Sequence, residues 1–211
     1  MKRILGLFLL LSLNPASGEI FFEAGLGYAH ILEAEFYDVP EPISVTQDTD
    51  LLVPFLKVGT SLIPRVDLTF GYYYFGDIQA EVIYSVIPYI PPGPIFHSLS
   101  TLTYSGESHV LSVEPTFTLF KSFRTRVWVS AGLCYVYTDS KVLLDGSPFE
   151  DALFSPFLGL SESSWDGMVS MGMTFRLSQN MLSDVSMKYM GLNSSWDRKA
   201  AFFGGSVRYE F

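Results

Sequence analysis

The chain has 211 residues, a formal net charge of −9 and one cysteine, and its aromatic content of 16% nearly equals its charged content of 17%. The acidic balance excludes a nucleic-acid binder, which needs a basic surface, and a lone Cys134 excludes an intramolecular disulfide. Beyond the first residues no apolar run reaches the about 18 needed for a membrane helix, so α-helical spans are excluded and the apolar residues must occupy alternate positions.

The opening MKRILGLFLLLSLNPASG predicts a secretory signal peptide over residues 1–18. Lys2 and Arg3 form its basic start. Ile4 to Leu13 form an apolar stretch too short to span a bilayer, and Ala16 and Gly18 are small residues at the cleavage point. The mature domain is then 19–211. No Cys lies near the cleavage point, so no lipid anchor is expected.

Eight alternating segments follow. The first, Glu19 to His30, sets Ile20, Phe22, Ala24, Leu26 and Tyr28 against Phe21, Glu23, Gly25 and Gly27. A long polar stretch leads to Leu51–Leu62, where Leu52, Pro54, Leu56 and Val58 oppose Val53, Phe55, Lys57 and Gly59. A short link at Pro64 and Arg65 precedes Val66–Asp77, whose weaker alternation past Ile78 predicts a hairpin extending beyond the bilayer. After the Pro-rich tip Ile87 to Phe96, the chain returns as Val110–Phe120, with Ser112, Glu114, Thr116, Thr118 and Phe120 on its inner face. Arg126–Tyr137 faces Trp128, Ser130, Gly132 and Cys134 inward; Trp165–Leu177 faces Asp166, Met168, Ser170, Gly172, Thr174 and Arg176 inward. Asp184–Gly191 places Lys188 and Met190 inside. The last segment, Ala200–Phe211, places Phe202, Gly204, Ser206 and Arg208 inside and Phe203, Val207, Tyr209 and Phe211 outside.

Long connections alternate with short ones, so every long loop falls at one end. A soluble β-sandwich also alternates, but has no reason to collect its long loops at one end or to keep an apolar outer face on every strand. Short turns, long loops and segments of about ten alternating residues are the pattern of a transmembrane barrel. In lipid each backbone N–H and C=O needs a partner, so the sheet must close. The fold expected is all-β: a closed, antiparallel, eight-stranded transmembrane β-barrel with up-and-down meander order.

The eight-strand rhythm, the signal peptide, FGYYYFGD at Phe70–Asp77 and the terminal VRYEF resemble the small outer-membrane barrels of the OmpA-like, OmpX-like and OmpW-like superfamily. The resemblance spans the mature chain and implies residence in the cell outer membrane, in contact with lipid and lipopolysaccharide. The ending also resembles the assembly signal of such barrels, which assigns Tyr209 and Phe211 to recognition by the barrel-assembly machinery, with periplasmic chaperones as further partners. A monomer is expected, without a C-terminal peptidoglycan-binding domain. Lipid A deacylases of similar size carry a His-x-Ser-Asn pattern on a late strand. The matching region here, Lys188 to Trp196, lacks histidine.

The outward aromatics gather at strand ends. Tyr28, Tyr72, Tyr74, Tyr135, Tyr137 and Trp165 lie toward the long loops, and Phe22, Phe175, Tyr209 and Phe211 toward the short turns, as interfacial girdles would. An eight-stranded bore is just wide enough for its own side chains. Phe21, Phe55, Tyr73, Phe75, Phe120, Trp128, Met168, Met190 and Phe202 are expected to fill it, with glycines leaving room for the rings. Glu23, Lys57, Glu114, Lys188 and Arg208 are expected to form a lumen charge network, with Asp67, Arg126, Arg176 and Glu210 nearer the short-turn end; paired charges plug a bore, rearranged ones gate it. His30 and His109 sit near the outer rim without metal-ligand spacing, and His97 and Ser98 lack an acid partner. No metal, cofactor or catalytic group is expected. Asp145, Glu150 and Asp151 could meet divalent cations, but solvated loop charge accounts for them. The apolar loop residues, among them Ile87, Ile90, Phe96, Leu143, Leu144, Phe154 and Phe157, need partners in water. They are expected to cap the mouth, to line a site for a hydrophobic molecule, or to form an adhesion surface. The sequence therefore predicts a plugged barrel with a structural or surface-interaction role. The alternative is a narrow channel or hydrophobic binding site at the extracellular mouth, and a lipid-modifying enzyme comes third.

Overall fold

Alternating apolar and polar residues can satisfy both their faces and their backbone only as strands whose sheet closes. A computed structural model describes residues 19–32, 44–47, 50–86, 98–145, 157–192 and 198–211. The expected signal peptide, the Pro-rich tip with His97, and Glu150, Asp151 and Phe154 lie outside the described residues.

All regular structure among the described residues is strand: β1 (Ile20–Leu32), β2 (Ser44–Gln47), β3 (Asp50–Ile63), β4 (Val66–Val86), β5 (Ser98–Lys121), β6 (Thr125–Asp145), β7 (Phe157–Arg176), β8 (Met181–Leu192) and β9 (Arg198–Glu210). β1 and β3 to β9 pair antiparallel with their sequence neighbours. β1 also pairs with β9, from Phe21 opposite Glu210 to Leu32 opposite Lys199, and this closes an eight-stranded barrel. The expected fold is the observed one.

Three features depart from the sequence reading. β2 is an extra short strand, paired with β4 at residues 80–83, within a stretch read as a polar loop. The hairpin strands are also longer than expected: β4 and β5 pair out to Val86 and Ser98, and β6 and β7 out to Leu143 and Phe157. Alternation fades there because only a strand with lipid on one side and lumen on the other needs one apolar face. Finally, Phe120 is not in the lumen. A register shift between Thr118 and Phe120 inserts an extra residue, and Leu119 and Phe120 are both exposed. Such a bulge flips the parity of everything beyond it. A second shift, between Tyr74 and Asp77, sits at Gly76, whose φ of 65° suits glycine. It brings Ile78 inward and buries it.

Every barrel strand presents large apolar side chains on its outer face, including Leu26, Leu56, Tyr72, Leu111, Leu133, Met171, Met187 and Phe203. Leu52 reaches 69% exposure and Trp165 68%. A continuous exposed apolar surface around a closed sheet is incompatible with water and fits the hydrocarbon of a bilayer.

Candidate functional site

The lumen is the one interior the fold creates, and its contents change along the axis. Toward the long-loop end most inward positions are apolar, with the buried hydroxyls of Ser108 and Thr138 paired at 3.0 Å among them. Ala29, Ile31, Val53, Phe55, Tyr73, Phe75, Ile78, Val110, Cys134, Val136, Met168, Met190, Leu192, Ala200 and Phe202 form one buried cluster. The rings interlock at its centre: Phe55 stacks on Tyr73 at 5.5 Å between centroids, and Phe202 meets both edge-on at 5.6 and 6.0 Å. A Cβ on Gly27 would fall 2.0 Å from the Phe202 ring, so that ring's seat exists only because Gly27 has no side chain.

Below this layer lie the ionic groups. Glu23 and Lys57 stand opposite each other on β1 and β3, and Lys57 Nζ donates to Glu23 Oε1 at 2.7 Å. Ser206 Oγ donates to the same oxygen at 2.7 Å. The second pair crosses the bore from β8 to β5: Lys188 Nζ donates to Glu114 Oε2 at 2.8 Å, with both side chains buried. The other oxygen, Glu114 Oε1, accepts from Tyr73 OH at 2.8 Å and Ser112 Oγ at 2.7 Å. These donors satisfy a carboxylate whose burial would otherwise be costly. Hydroxyls of Ser130 and Ser170 complete the level.

Arg208, the fifth expected member, sits opposite Glu23 on β9 but turns the other way. Its guanidinium lies 3.4 Å from Asp67 and 3.1 Å from Glu210, and it stacks over the Phe21 ring at 3.3 Å. Arg126 joins Asp67 at 2.8 Å. The structure thus divides the charges into two central pairs and a cluster at the short-turn mouth. Sequence reasoning missed Asp184, whose Oδ1 accepts from Trp128 Nε1 at 3.3 Å and from Thr174 Oγ1. The alternation of β8 points Asp184 inward, and that parity was the signal available. It also missed the tyrosine hydroxyl, since period-two patterning places the Tyr73 ring but not the end of it. Arg176, expected near this end, is exposed.

No family model and no curated protein matches the sequence. Among solved structures, the attachment invasion locus protein Ail of Yersinia pestis superposes with a TM-score of 0.52 at 13% identity, over 92% of this chain and 99% of that one. Neisserial surface protein A superposes with a TM-score of 0.51 at 13% identity, again over 92% and 99%. The fold is that of the small eight-stranded outer-membrane barrels.

The outside of the barrel carries the two aromatic zones. At the long-loop rim Tyr72 OH lies 2.9 Å from His109 Nδ1 and stacks on it, Tyr74 and Tyr137 flank the same imidazole, and Tyr135 packs on Trp165 at 5.2 Å. At the other rim Phe211 packs edge-on against Phe22 at 5.7 Å and Tyr209 at 4.9 Å. Phe211 N donates to Ile20 O at 3.0 Å, so the last residue is stitched to the first strand. His30 Nδ1 lies 2.8 Å from Asp50 Oδ1, at an exposed position. Among the described residues no group of three or more His, Cys, Asp or Glu side chains converges as a metal ion would need.

Proposed function

We propose that this outer-membrane barrel has a plugged lumen and a structural or surface-interaction role, with no enzymatic activity. The observation that carries the reading is the stacking of two closely packed levels in one bore. Phe55, Tyr73, Phe75 and Phe202 are each 2% exposed or less, directly above ion pairs whose side chains are 7% exposed or less. Water or a hydrated ion would have to displace both levels to cross. Two barrels sharing the fold bear names for attachment, invasion and the cell surface, and the long-loop end is by that likeness the interaction face.

The remaining assignments belong to the same proposal. The N-terminal segment 1–18 acts as the export signal. Outer-membrane lipid and lipopolysaccharide surround the belt, Tyr209 and Phe211 address the chain to the barrel-assembly machinery and periplasmic chaperones, and closure of β1 on β9 lets the protein stand as a monomer. Glu23, Lys57, Glu114 and Lys188 lock the bore, and Arg208 anchors its short-turn end.

Planar-bilayer recording of purified protein tests the reading: a silent membrane is expected, and well-defined channel events would sink it. A second reading, a narrow channel or a site for small hydrophobic molecules at the outer mouth, draws on the apolar part of the bore above the ion pairs, which includes Ile31, Ile78 and Val110. It requires such events, or saturable uptake of an apolar probe. Incubation with labelled lipid A should release and transfer no acyl chain; turnover there would restore the lipid-modifying enzyme.

A further inference from the structure

The short-turn mouth is built from cations. Six of the chain's 13 Lys and Arg residues, Arg65, Lys121, Arg124, Arg126, Arg176 and Arg208, line one vestibule of about 690 Å³. Three carboxylates share it: Glu19, Asp67 and Glu210. Asp67 is taken by Arg126 and Arg208, and Glu210 by Arg208. Arg65, Lys121, Arg124 and Arg176 form no ion pair among the described residues. This concentration of positive charge occurs in a chain whose net charge is −9.

Three observations show that the arrangement is held against local cost. Arg176 N donates to Arg124 O at 2.9 Å, so two guanidinium-bearing residues are fixed on neighbouring backbone with no carboxylate between them. Like charges set side by side are destabilising. Arg65 adopts φ of 79° in the Pro64–Arg65 turn, the one positive value among described non-glycine residues, where glycine or asparagine would fit without strain. Finally, Nε of Arg126 and Nε of Arg208 are buried without a hydrogen-bond acceptor, and the Arg208 side chain is only 7% exposed. Unmatched buried donors call for an acceptor.

We propose that this vestibule is an anion site that takes a phosphate-bearing ligand. Guanidinium groups present planar forks of N–H donors that match phosphate oxygens two at a time. A volume of this size lies within the roughly 300–1,000 Å³ typical of small-molecule sites. Arg124 and Arg176 from adjacent turns, with Arg65 across the mouth, provide the charge. The phosphate could belong to a soluble periplasmic anion or to a lipid headgroup of the adjoining leaflet, and one experiment separates these sources.

Full-length barrel in phosphatidylcholine nanodiscs is titrated with pyrophosphate at low ionic strength by calorimetry, in wild type, in Arg124→Gln/Arg176→Gln and in Arg65→Gly. Saturable binding is expected in wild type, weakened about tenfold by losing two charged donors and several-fold in Arg65→Gly. Arg65→Gly relieves the turn, so its heat-modifiable gel shift stays intact while its affinity falls, and folding is thereby separated from binding. Nanodiscs containing phosphatidylglycerol identify the source: competition that lowers wild-type affinity but not that of the double variant assigns a lipid headgroup, and unchanged affinity assigns a soluble anion. Equal affinity in wild type and double variant, or no saturable binding in phosphatidylcholine, overturns the proposal.

Discussion

Glu114 accepts hydrogen bonds from Tyr73, Ser112 and Lys188, and among the described residues Lys188 makes its ion pair with no other carboxylate. A buried pair of this kind contributes little net stability, because desolvation offsets the attraction, but removing one partner strands the other. Lys188→Met should therefore destabilise the barrel by about 3–5 kcal/mol, whereas Glu114→Gln/Lys188→Met should recover most of that loss. Unfolding by denaturant from lipid vesicles, followed by tryptophan fluorescence, measures both; equal losses in the two variants would remove the pair from the account. Gly27 acts by size alone. Gly27→Ala drives a methyl into the Phe202 ring, and overpacking of this kind costs about 1–3 kcal/mol. The same unfolding assay should show that loss, and a wild-type midpoint would mean the ring has another seat.

At the scale of the strand, the sequence was legible wherever lipid faced one side and lumen the other. Leu52 to Gly59 and Phe202 to Tyr209 alternate because each face meets a different solvent, and their burial follows residue by residue. Legibility ended where that asymmetry ended. Residues 98–105 pair with β4 at the far end of the hairpin and carry no period-two signal. Phe120 was misplaced because a bulge at Leu119 shifts register without any Gly or Pro to mark it. Of the charges expected inside, Glu23, Lys57, Glu114, Lys188 and Arg208 are buried and Arg176 is exposed, and their pairing could not be read. Glu114 and Lys188 meet across the bore from β5 and β8, a neighbourhood that only closure creates. The C-terminal strand carries its own prediction. Deleting Phe211 removes the ring packed against Phe22 and Tyr209 and the hydrogen bond to Ile20 O. Heat-modifiable barrel in the outer membrane should fall more in this deletion than in any loop variant, and normal levels would contradict the assigned role of Phe211.

For the whole molecule, the axis is polarised in chemistry as well as in loop length. Apolar rings occupy one half of the bore, paired charges the middle, and unpaired arginines the short-turn mouth. A cavity of about 20 Å³, room for about one water, lies between the ion pairs and the cluster around Asp67. The proposed seal has its own reporter in the chain. Cys134 is the only cysteine, is fully buried in the apolar half, and points its Sγ at the carbonyls of Asp166 and Gly191, 3.5 and 3.6 Å away. Folded protein in vesicles should resist a small, water-soluble maleimide applied from both sides and react fully once denatured. Rapid labelling of the folded barrel would mean that water reaches the lumen and would contradict the plug.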